Sequence, residues 1–528
     1  MSGEEKKYAD ADKPAAAHLD HTKRMSPSSD RGGIHEYKED EGYEVDVEDA
    51  PAPAVGDRTV KLAKDGHTRL IPQPSDDAHD PLNWPWGKKH IILFIVAFSA
   101  LLPDYGSATG KFLHQAGPFH AREWNMAEDE VNHSQVGNVF TVIFSAYFGR
   151  LPVMFYFLVV ALATAIWCAA ATTFGSFMAA RVLNGFFSTV SQGGGLMFIQ
   201  DMFFFHERAR KINLWAYVFL RFTSFFVISP YLGPLLAAFM AAAKPWPIPF
   251  WVYVAETGLA LILTILFVEE TFYDRRISEA EQPPRGTRVG RLLGIAQYKT
   301  RHVRNSFAEA CLRSIKVVIK PTVAISCIYY LLTFAWVVGI NTTLSIFLGP
   351  VYGFGLKQIG FFYFTPVTAV ILGELAGHFL HDFLAKQYIR THKGHFEPEV
   401  RLRAIIVALP FMLVGLVLLG QSLQNQWHYM IASISWGLYV FGVMITTVAI
   451  SSYNLDSYPE AWGRSPHGTL GGFIISYFQV RWANARGTKE SFGVQAAICG
   501  GAFLLILLLM WKGRSMRIWA GPLNFVTV

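Results

Sequence analysis

One apolar stretch of the chain, near residues 175–203, carries four polar side chains that could relay protons or hold a polar ligand. Arg181, Asn184, Ser188 and Gln192 recur at spacings of three and four residues, which places them on one face of a helix. Lipid rejects such a face, so we expect it to line an internal cavity as a proton relay or a substrate surface. The alternative is hydrogen bonding between packed helices, which also uses Ser, Asn and Gln.

Three carboxylates lie within other apolar stretches of the chain. They are Asp104, Glu256 and Glu374. A carboxyl group in a membrane can take up and release protons as its surroundings change, which proton coupling requires. An ionised carboxylate also attracts a cationic substrate. The alternative is a carboxylate at a helix end or one that is paired for structure.

A further stretch, near residues 322–348, combines aromatic and polar side chains. Tyr329, Thr333 and Trp336 share one helical face, and Asn341 follows in an Asn-Thr-Thr sequon. Aromatic faces bind cations and flat organic molecules. Aromatic residues at helical spacing also serve packing, so both interpretations of this group stay open.

About twelve apolar segments must position these side chains. Hydrophobic residues make up 52% and charged residues 16% of the 528 residues, whereas about 25% are charged in soluble domains. Several segments reach the roughly 20 apolar residues that cross a bilayer. A basic loop divides the segments in the middle. We predict an all-α membrane protein with twelve transmembrane helices in two pseudo-symmetric six-helix halves.

Composition sets the predicted boundaries. The first 88 residues are rich in charged residues, Pro, Ala and Gly, which is typical of a disordered tail. The predicted parts are a disordered N-terminal tail (1–88), an N-terminal half (89–268), a basic loop (269–320), a C-terminal half (321–512) and a C-terminal tail (513–528). Lys and Arg concentrate in loops on the side that holds both termini, so both termini are expected in the cytoplasm.

Several classes of protein are disfavoured by the sequence. The four cysteines are scattered and indicate neither a disulfide framework nor a zinc site. There is no phosphate-cradling Walker loop and no nucleophile–base set. We therefore expect no enzyme activity, no metal, no cofactor and no nucleic-acid partner. The expected partners are a small-molecule substrate, protons and the lipid bilayer, with the protein acting as a monomer.

Three segments have unusual lengths. Segments 2 and 11 offer only about 13–15 apolar residues, or roughly 20 Å of helix, against about 30 Å of hydrocarbon. Segment 5 has about 30 residues and carries Arg221. Two interpretations stay open: an error in the gene model, or a specialised or impaired paralogue.

Strings throughout the chain carry a resemblance to a known family. They include HTRLIPQPSDDAHDPLNWPW, FSALLPDYGSATG, FIQDMFFFHERARKINLWA, SPYLGPLLAAF, FVEETFYDRR, FAWVVGINTTLSIFLGPVYGF, EPEVRL and YNLDSYPEA. From about residue 67 onward the chain resembles fungal members of the major facilitator superfamily. The similar branch is that of drug:proton antiporters, which includes polyamine and histidinol transporters. The resemblance implies two six-helix halves, a central cavity and alternating access by rocking.

The resemblance also implies roles for single residues. Gly149 and Arg150 match the gating motif between helices 2 and 3, although Ala and Tyr replace the Asp–Arg pair that usually precedes them. Arg181 matches an arginine that the family links to proton transfer. Gly233 and Pro234 match the antiporter motif of helix 5, without its upstream glycines.

The sequence thus predicts a proton-coupled secondary transporter in the plasma membrane. Its expected substrate is a small organic molecule, cationic or amphipathic, such as a polyamine or a drug. Two alternatives stay open. One is an uptake symporter for nitrogenous cations, and the other is a non-transporting receptor or an inactive paralogue.

Overall fold

The computed structural model of the chain describes most of the predicted apolar segments. It covers residues 74–112, 144–145, 147–204, 225–243, 247–273, 282, 285–300, 312, 316–392, 397–458, 479 and 482–521. The stretches that decide the lengths of segments 2, 5 and 11, and with them Arg221, lie outside these residues. All regular structure within the described ranges is helical.

Within the described ranges, six longer helices precede the basic loop. They are α1 (Trp86–Phe112), α2 (Arg150–Ala170), α3 (Phe174–Ser188), α4 (Val190–Met202), α5 (Phe225–Ala243) and α6 (Pro247–Phe267). Two short helices, α7 (Arg288–Leu292) and α8 (Ile295–Lys299), lie within the loop itself.

The helices after the loop are longer on average. They are α9 (Pro321–Tyr352), α10 (Leu356–Phe362), α11 (Phe364–Thr391), α12 (Arg403–Gln424), α13 (Tyr429–Ser457) and α14 (Thr488–Ala520). Eight helices of the described part are long and apolar enough to cross a membrane.

Local sequence explains where several helices begin and end. The Thr173 hydroxyl accepts the Ser176 backbone N–H at 3.4 Å and caps the start of α3. Pro321 opens α9, where its missing N–H is harmless, and Gly353 closes the helix with a φ of 67°.

Each group of helices has its own apolar core. In the first group, side chains of α1, α2, α4 and α6 form one buried cluster around Leu158 and Met202. In the second, α13 lies at the centre and packs against α11 and α12. A Cβ atom on Gly415 would lie 2.6 Å from the Tyr439 backbone nitrogen. The glycine therefore lets α12 and α13 approach closely.

Helix α5 belongs to both groups. It packs against α1 on one side and against α10 and α11 on the other. Its residues Tyr231, Leu235, Ala237 and Ala238 are part of the core cluster of the second group. The last part of α5 therefore joins the two halves.

The folded part extends past both predicted tail boundaries. At the start, Asp80 caps a 3-10 helix at Pro81–Asn83, and α1 already begins at Trp86. The Lys88 ammonium also pairs with Glu269 at 2.8 Å. At the end, α14 continues to Ala520. Charged composition predicted disorder for residues 1–88 alone, and the contact of Lys88 with Glu269 belongs to the last residue of that range.

Candidate functional site

Arg181 lies on α3 and connects three helices of the first half. Its Nη1 donates to the Gly106 carbonyl of α1 at 2.8 Å. Its guanidinium lies 5.8 and 6.0 Å from the ring centroids of Phe177 and Phe250. Aromatic faces attract a cation, so two rings help to hold the arginine inside the half.

Asn184 lies one turn further along α3 and faces the neighbouring helices. Its Nδ2 donates to the Ala161 carbonyl at 2.9 Å and to the Thr164 hydroxyl at 3.1 Å. Its Oδ1 accepts from the Tyr253 hydroxyl at 3.0 Å. Both ends of the amide are thus occupied by α2 and α6. This geometry favours the helix-packing interpretation for Asn184.

The predicted polar stripe crosses a break between two helices. Ser188 is buried at the last position of α3. Thr189 separates α3 from α4, with a ψ of 0° and its hydroxyl bonded to the Phe186 carbonyl at 2.8 Å. The backbones of Gln192 and Asp104 lie in α4 and α1, and their side chains fall outside the described residues.

Glu256 lies on α6 and faces α1. Its Oε2 is buried and has no hydrogen-bond partner among the described residues. It interacts electrostatically with Tyr105 of α1, and Tyr105 stacks against Tyr253 at 6.2 Å. The carboxyl group therefore sits at an aromatic contact within the first half.

Glu374 lies on α11 beside aromatic residues of α9. Its electrostatic neighbour is Tyr330. The Tyr330 hydroxyl accepts from Thr447 of α13 at 3.3 Å, and its ring stacks on Phe334 at 5.0 Å. Glu374 thus interacts with a tyrosine of α9 that is itself bonded to α13 and stacked on a second ring. Negative charge next to aromatic faces is suited to an organic cation.

The other predicted residues of α9 are buried in the second half. Tyr329 and Trp336 leave a hydroxyl and an indole N–H without a hydrogen-bond partner among the described residues. The Thr333 hydroxyl donates to the Tyr329 carbonyl at 3.0 Å, while the Thr333 carbonyl accepts from Tyr439 at 2.7 Å. The predicted shared face therefore packs against α13 at Thr333.

Contacts between the halves gather where α5 approaches α9, α10 and α13. The Asn341 Nδ2 of α9 donates to the Pro230 carbonyl of α5 at 2.7 Å. Further along α5, Tyr231 contacts Trp436, and Phe239 contacts Phe361 and Phe364. We call this region the seam; it consists of Pro230, Tyr231, Phe239, Asn341, Phe361, Phe364 and Trp436. Gly233 and Pro234 lie in α5 between the first two contacts and Phe239.

Gly149 and Arg150 stand at the start of α2 and are held by acidic residues. The Arg150 Nε lies 3.0 Å from the Asp201 carboxylate of α4. The Arg150 backbone N–H donates to Glu270 at 3.1 Å, where a carboxylate stabilises the helix N-terminus. Gly149 has a φ of 99°, and a Cβ there would lie 2.5 Å from the Glu270 Oε2.

The second half has ion pairs at the equivalent ends of its helices. The Arg401 Nε pairs with Asp456 at 2.9 Å. The Arg517 Nε and Nη2 donate to the two oxygens of Glu399 at 3.0 and 2.9 Å. Both pairs are buried, with less than a tenth of each side chain exposed.

Comparison with known proteins identifies this bundle. The sequence profile described as Major Facilitator Superfamily matches residues 134–463, more than half of the chain. The chain belongs to the Major Facilitator Superfamily. It is therefore a multi-pass membrane protein and a secondary transporter of the major facilitator type.

Relatives and solved structures agree with this assignment. An uncharacterized MFS-type transporter of Schizosaccharomyces pombe is 21% identical over 545 residues, covering 87% of this chain and 89% of that protein. The efflux pump radE of Floropilus chiversii is 21% identical, covering 86% and 80%. The partially occluded inward-open xylose transporter XylE of E. coli matches 80% of this chain and 99% of its own, with 15% identity and a TM-score of 0.53. That structure supports the major facilitator fold.

Sequence reasoning had not singled out three acidic residues that hold Arg150 and Arg517 in this superfamily member. Asp201 and Glu270 lie in the strings FIQDMFFF and FVEETF, and Glu399 lies in EPEVRL. Those strings carried the resemblance without any role being given to their carboxylates. The sequence did contain a signal for them. All three lie at the ends of segments 4, 6 and 9 that were predicted to face the cytoplasm.

Proposed function

We propose that this transporter couples proton movement to the movement of a small cationic or amphipathic organic molecule, such as a polyamine or a drug. It works in the plasma membrane, with both termini in the cytoplasm, by alternating access of a central site. The observation that carries the proposal is the electrostatic interaction of Glu374 with Tyr330, whose ring stacks on Phe334.

The chemistry of one carboxyl group supports the coupling. A protonated carboxyl is neutral, whereas an ionised one attracts a cation. A proton and a cationic substrate therefore compete for Glu374, and release of one favours binding of the other. The flanking rings add cation–π attraction, worth about 0.5–2 kcal/mol.

Glu256 is a second proton site under this proposal. Its Oε2 lacks a hydrogen-bond partner among the described residues, so a change of protonation disturbs no pairing seen there. Arg181 lies in the same half and faces Gly106 of α1. We assign Arg181 and Glu256 to the proton pathway and Glu374 to the substrate.

Export is the proposed direction. The relative radE is named an efflux pump, and the family strings resemble the antiporter branch. Proton-driven uptake would move the substrate in the opposite direction in the same assay. The experiment below therefore decides the direction of transport.

The test is transport of radiolabelled spermidine by cells that express the chain, with and without an imposed pH gradient. Glu374→Gln removes the charge and keeps the shape of the side chain, while Glu374→Asp keeps the charge. The matched control is Glu490→Gln, because Glu490 is an exposed glutamate whose pairing with Arg486 is long, at 3.8 Å. All variants are compared at equal surface expression.

We expect gradient-dependent transport in the wild type, Glu374→Asp and Glu490→Gln, and its loss in Glu374→Gln. Glu256→Gln should keep spermidine binding but lose the response to the gradient. Equal gradient-dependent transport in Glu374→Gln and the wild type would overturn the role of Glu374. A silent wild type at normal surface expression would overturn this substrate or favour the non-transporting alternative. A panel of organic cations then separates those two outcomes.

A further inference from the structure

Helix α5 contains a backbone carbonyl that its own helix cannot satisfy. In an α-helix the carbonyl of Pro230 accepts from the N–H of residue 234. Residue 234 is proline and has no N–H. The carbonyl of Pro230 therefore needs a partner from outside the helical ladder, because an unpaired carbonyl is costly in an apolar surrounding.

The partner comes from the other half of the transporter. Asn341 of α9 donates its Nδ2 to the Pro230 carbonyl at 2.7 Å. Asn341 is 2% exposed, and its own backbone carbonyl accepts the Tyr363 hydroxyl at 2.9 Å. The Tyr363 bond thus anchors the backbone of α9 at this position, and the Asn341 side chain presents a donor to α5. A carboxylate or an aliphatic side chain at this position would present none.

The other contacts of the seam among the described residues are apolar. Tyr231 and Trp436 meet edge to face at 5.9 Å, and Phe239 meets Phe361 at 5.1 Å. Ala238 is fully buried and lies against Gly360, whose Cβ would be 3.3 Å from that of Ala238. The bond from Asn341 to Pro230 therefore adds a directional contact to a seam built otherwise from ring packing.

We propose that the Asn341–Pro230 hydrogen bond is a latch that keeps the seam closed, with Pro234 supplying the acceptor by leaving the carbonyl unpaired. Opening the seam separates the two groups, and the carbonyl then has no helical donor to return to. The latch thus favours the closed seam over the open one. The latch rests on alternating access, which is part of the proposed function, but not on the substrate.

The expected strength follows from ordinary hydrogen-bond energetics. A net contribution typical of one intramolecular hydrogen bond corresponds to about a two- to tenfold change in the population of the open seam. Loss of the latch should therefore raise access to seam residues by about that factor.

The test measures maleimide labelling of a reporter cysteine, Ala238→Cys, in membranes that are open on both faces. Three backgrounds are compared: wild type, Asn341→Leu, which removes the donor, and Pro234→Ala, which restores an N–H for the Pro230 carbonyl. Asn425→Cys, an exposed position between α12 and α13, reports folded protein and reagent quality. A variant that carries both Asn341→Leu and Pro234→Ala completes a double-mutant cycle.

We expect each single variant to speed labelling at residue 238 by about two- to tenfold, with no change at residue 425. The double variant should be no faster than the faster single variant, because Asn341→Leu removes the donor of the bond and Pro234→Ala gives its acceptor an alternative donor in the open seam. Unchanged labelling in Asn341→Leu, or two fully additive effects, would refute the latch. The assay needs neither substrate nor pH gradient, so a failed spermidine assay with the expected labelling would reject the substrate and keep the latch.

Discussion

The buried ion pair between Arg517 and Glu399 allows a quantitative prediction. The pair is bidentate, at 3.0 and 2.9 Å, and each side chain is 8% exposed. Glu399→Gln would leave the arginine charge buried without its counter-charge. Removing one partner of a buried pair typically costs about 3–5 kcal/mol.

The chain provides a matched control at the start of α14. The pair Arg486–Glu490 is 3.8 Å long, with 68% and 53% of the side chains exposed. An exposed pair of this kind contributes about 0–0.5 kcal/mol. Glu490→Gln makes the same chemical change as Glu399→Gln, so a difference between the two variants reports burial and pairing.

A double variant separates the effect of losing the ion pair from the cost of leaving one charge buried without a partner. Glu399→Gln combined with Arg517→Met removes both charges, and replacing a buried pair by neutral residues is often close to neutral. The assay is the apparent thermal midpoint of purified protein in detergent, at one scan rate, because unfolding of such proteins is often irreversible. We expect the wild type and Glu490→Gln to have the highest thermal midpoints. The double variant should have a lower midpoint, and Glu399→Gln should have the lowest. A double variant no more stable than Glu399→Gln would refute the reasoning.

Three further predictions concern the first half. Gly149→Ala should destabilise the protein by about 1–3 kcal/mol, because φ is 99° there and a Cβ would lie 2.5 Å from the Glu270 Oε2. The thermal midpoint of this variant is compared with that of Gly87→Ala, a control at an uncrowded glycine. Asn184→Leu should cost about 1–3 kcal/mol, because it removes three buried hydrogen bonds; a thermal midpoint equal to that of the wild type would contradict it. Burial acts to raise the pKa of Glu269, but the hydrogen bond and charge of Lys88 outweigh it and lower that pKa below its usual value. Its contribution to stability is therefore fully present above the unfolded pKa of about 4.3 and is lost as pH falls through the folded pKa. The stability difference between wild type and Glu269→Gln, measured against pH, should shrink in that acidic range and not at neutral pH.

Apolar patterning was enough to predict the helical class, and the resemblance of the sequence strings implied the family fold. Runs of about 20 apolar residues have one stable solution in lipid, since a helix pairs its own backbone groups. For this reason α2 or α12 could be expected from composition alone. The spacing from Arg181 to Asn184 also predicted a polar face on α3.

The partners of those polar residues could not be predicted from spacing. Whether Asn184 faces a cavity or a neighbouring helix depends on how α3 is rotated against α2 and α6, which local sequence does not encode. The break at Thr189 is of the same kind, because its ψ of 0° interrupts a stretch with continuous helical patterning. Asn341 was considered as a glycosylation sequon and a site residue, but its actual partner lies 111 positions away in the chain.

The shared position of α5 has a consequence for how the protein is made. The first half leaves the ribosome before α9, α10 and α13 exist, so the face of α5 around Tyr231 and Leu235 first meets lipid instead of its later neighbours. The Pro230 carbonyl also lacks its hydrogen-bond donor until Asn341 has been synthesised. A polypeptide that stops after the central loop would retain this unsatisfied surface, and the cell's quality-control machinery should recognise it as incomplete.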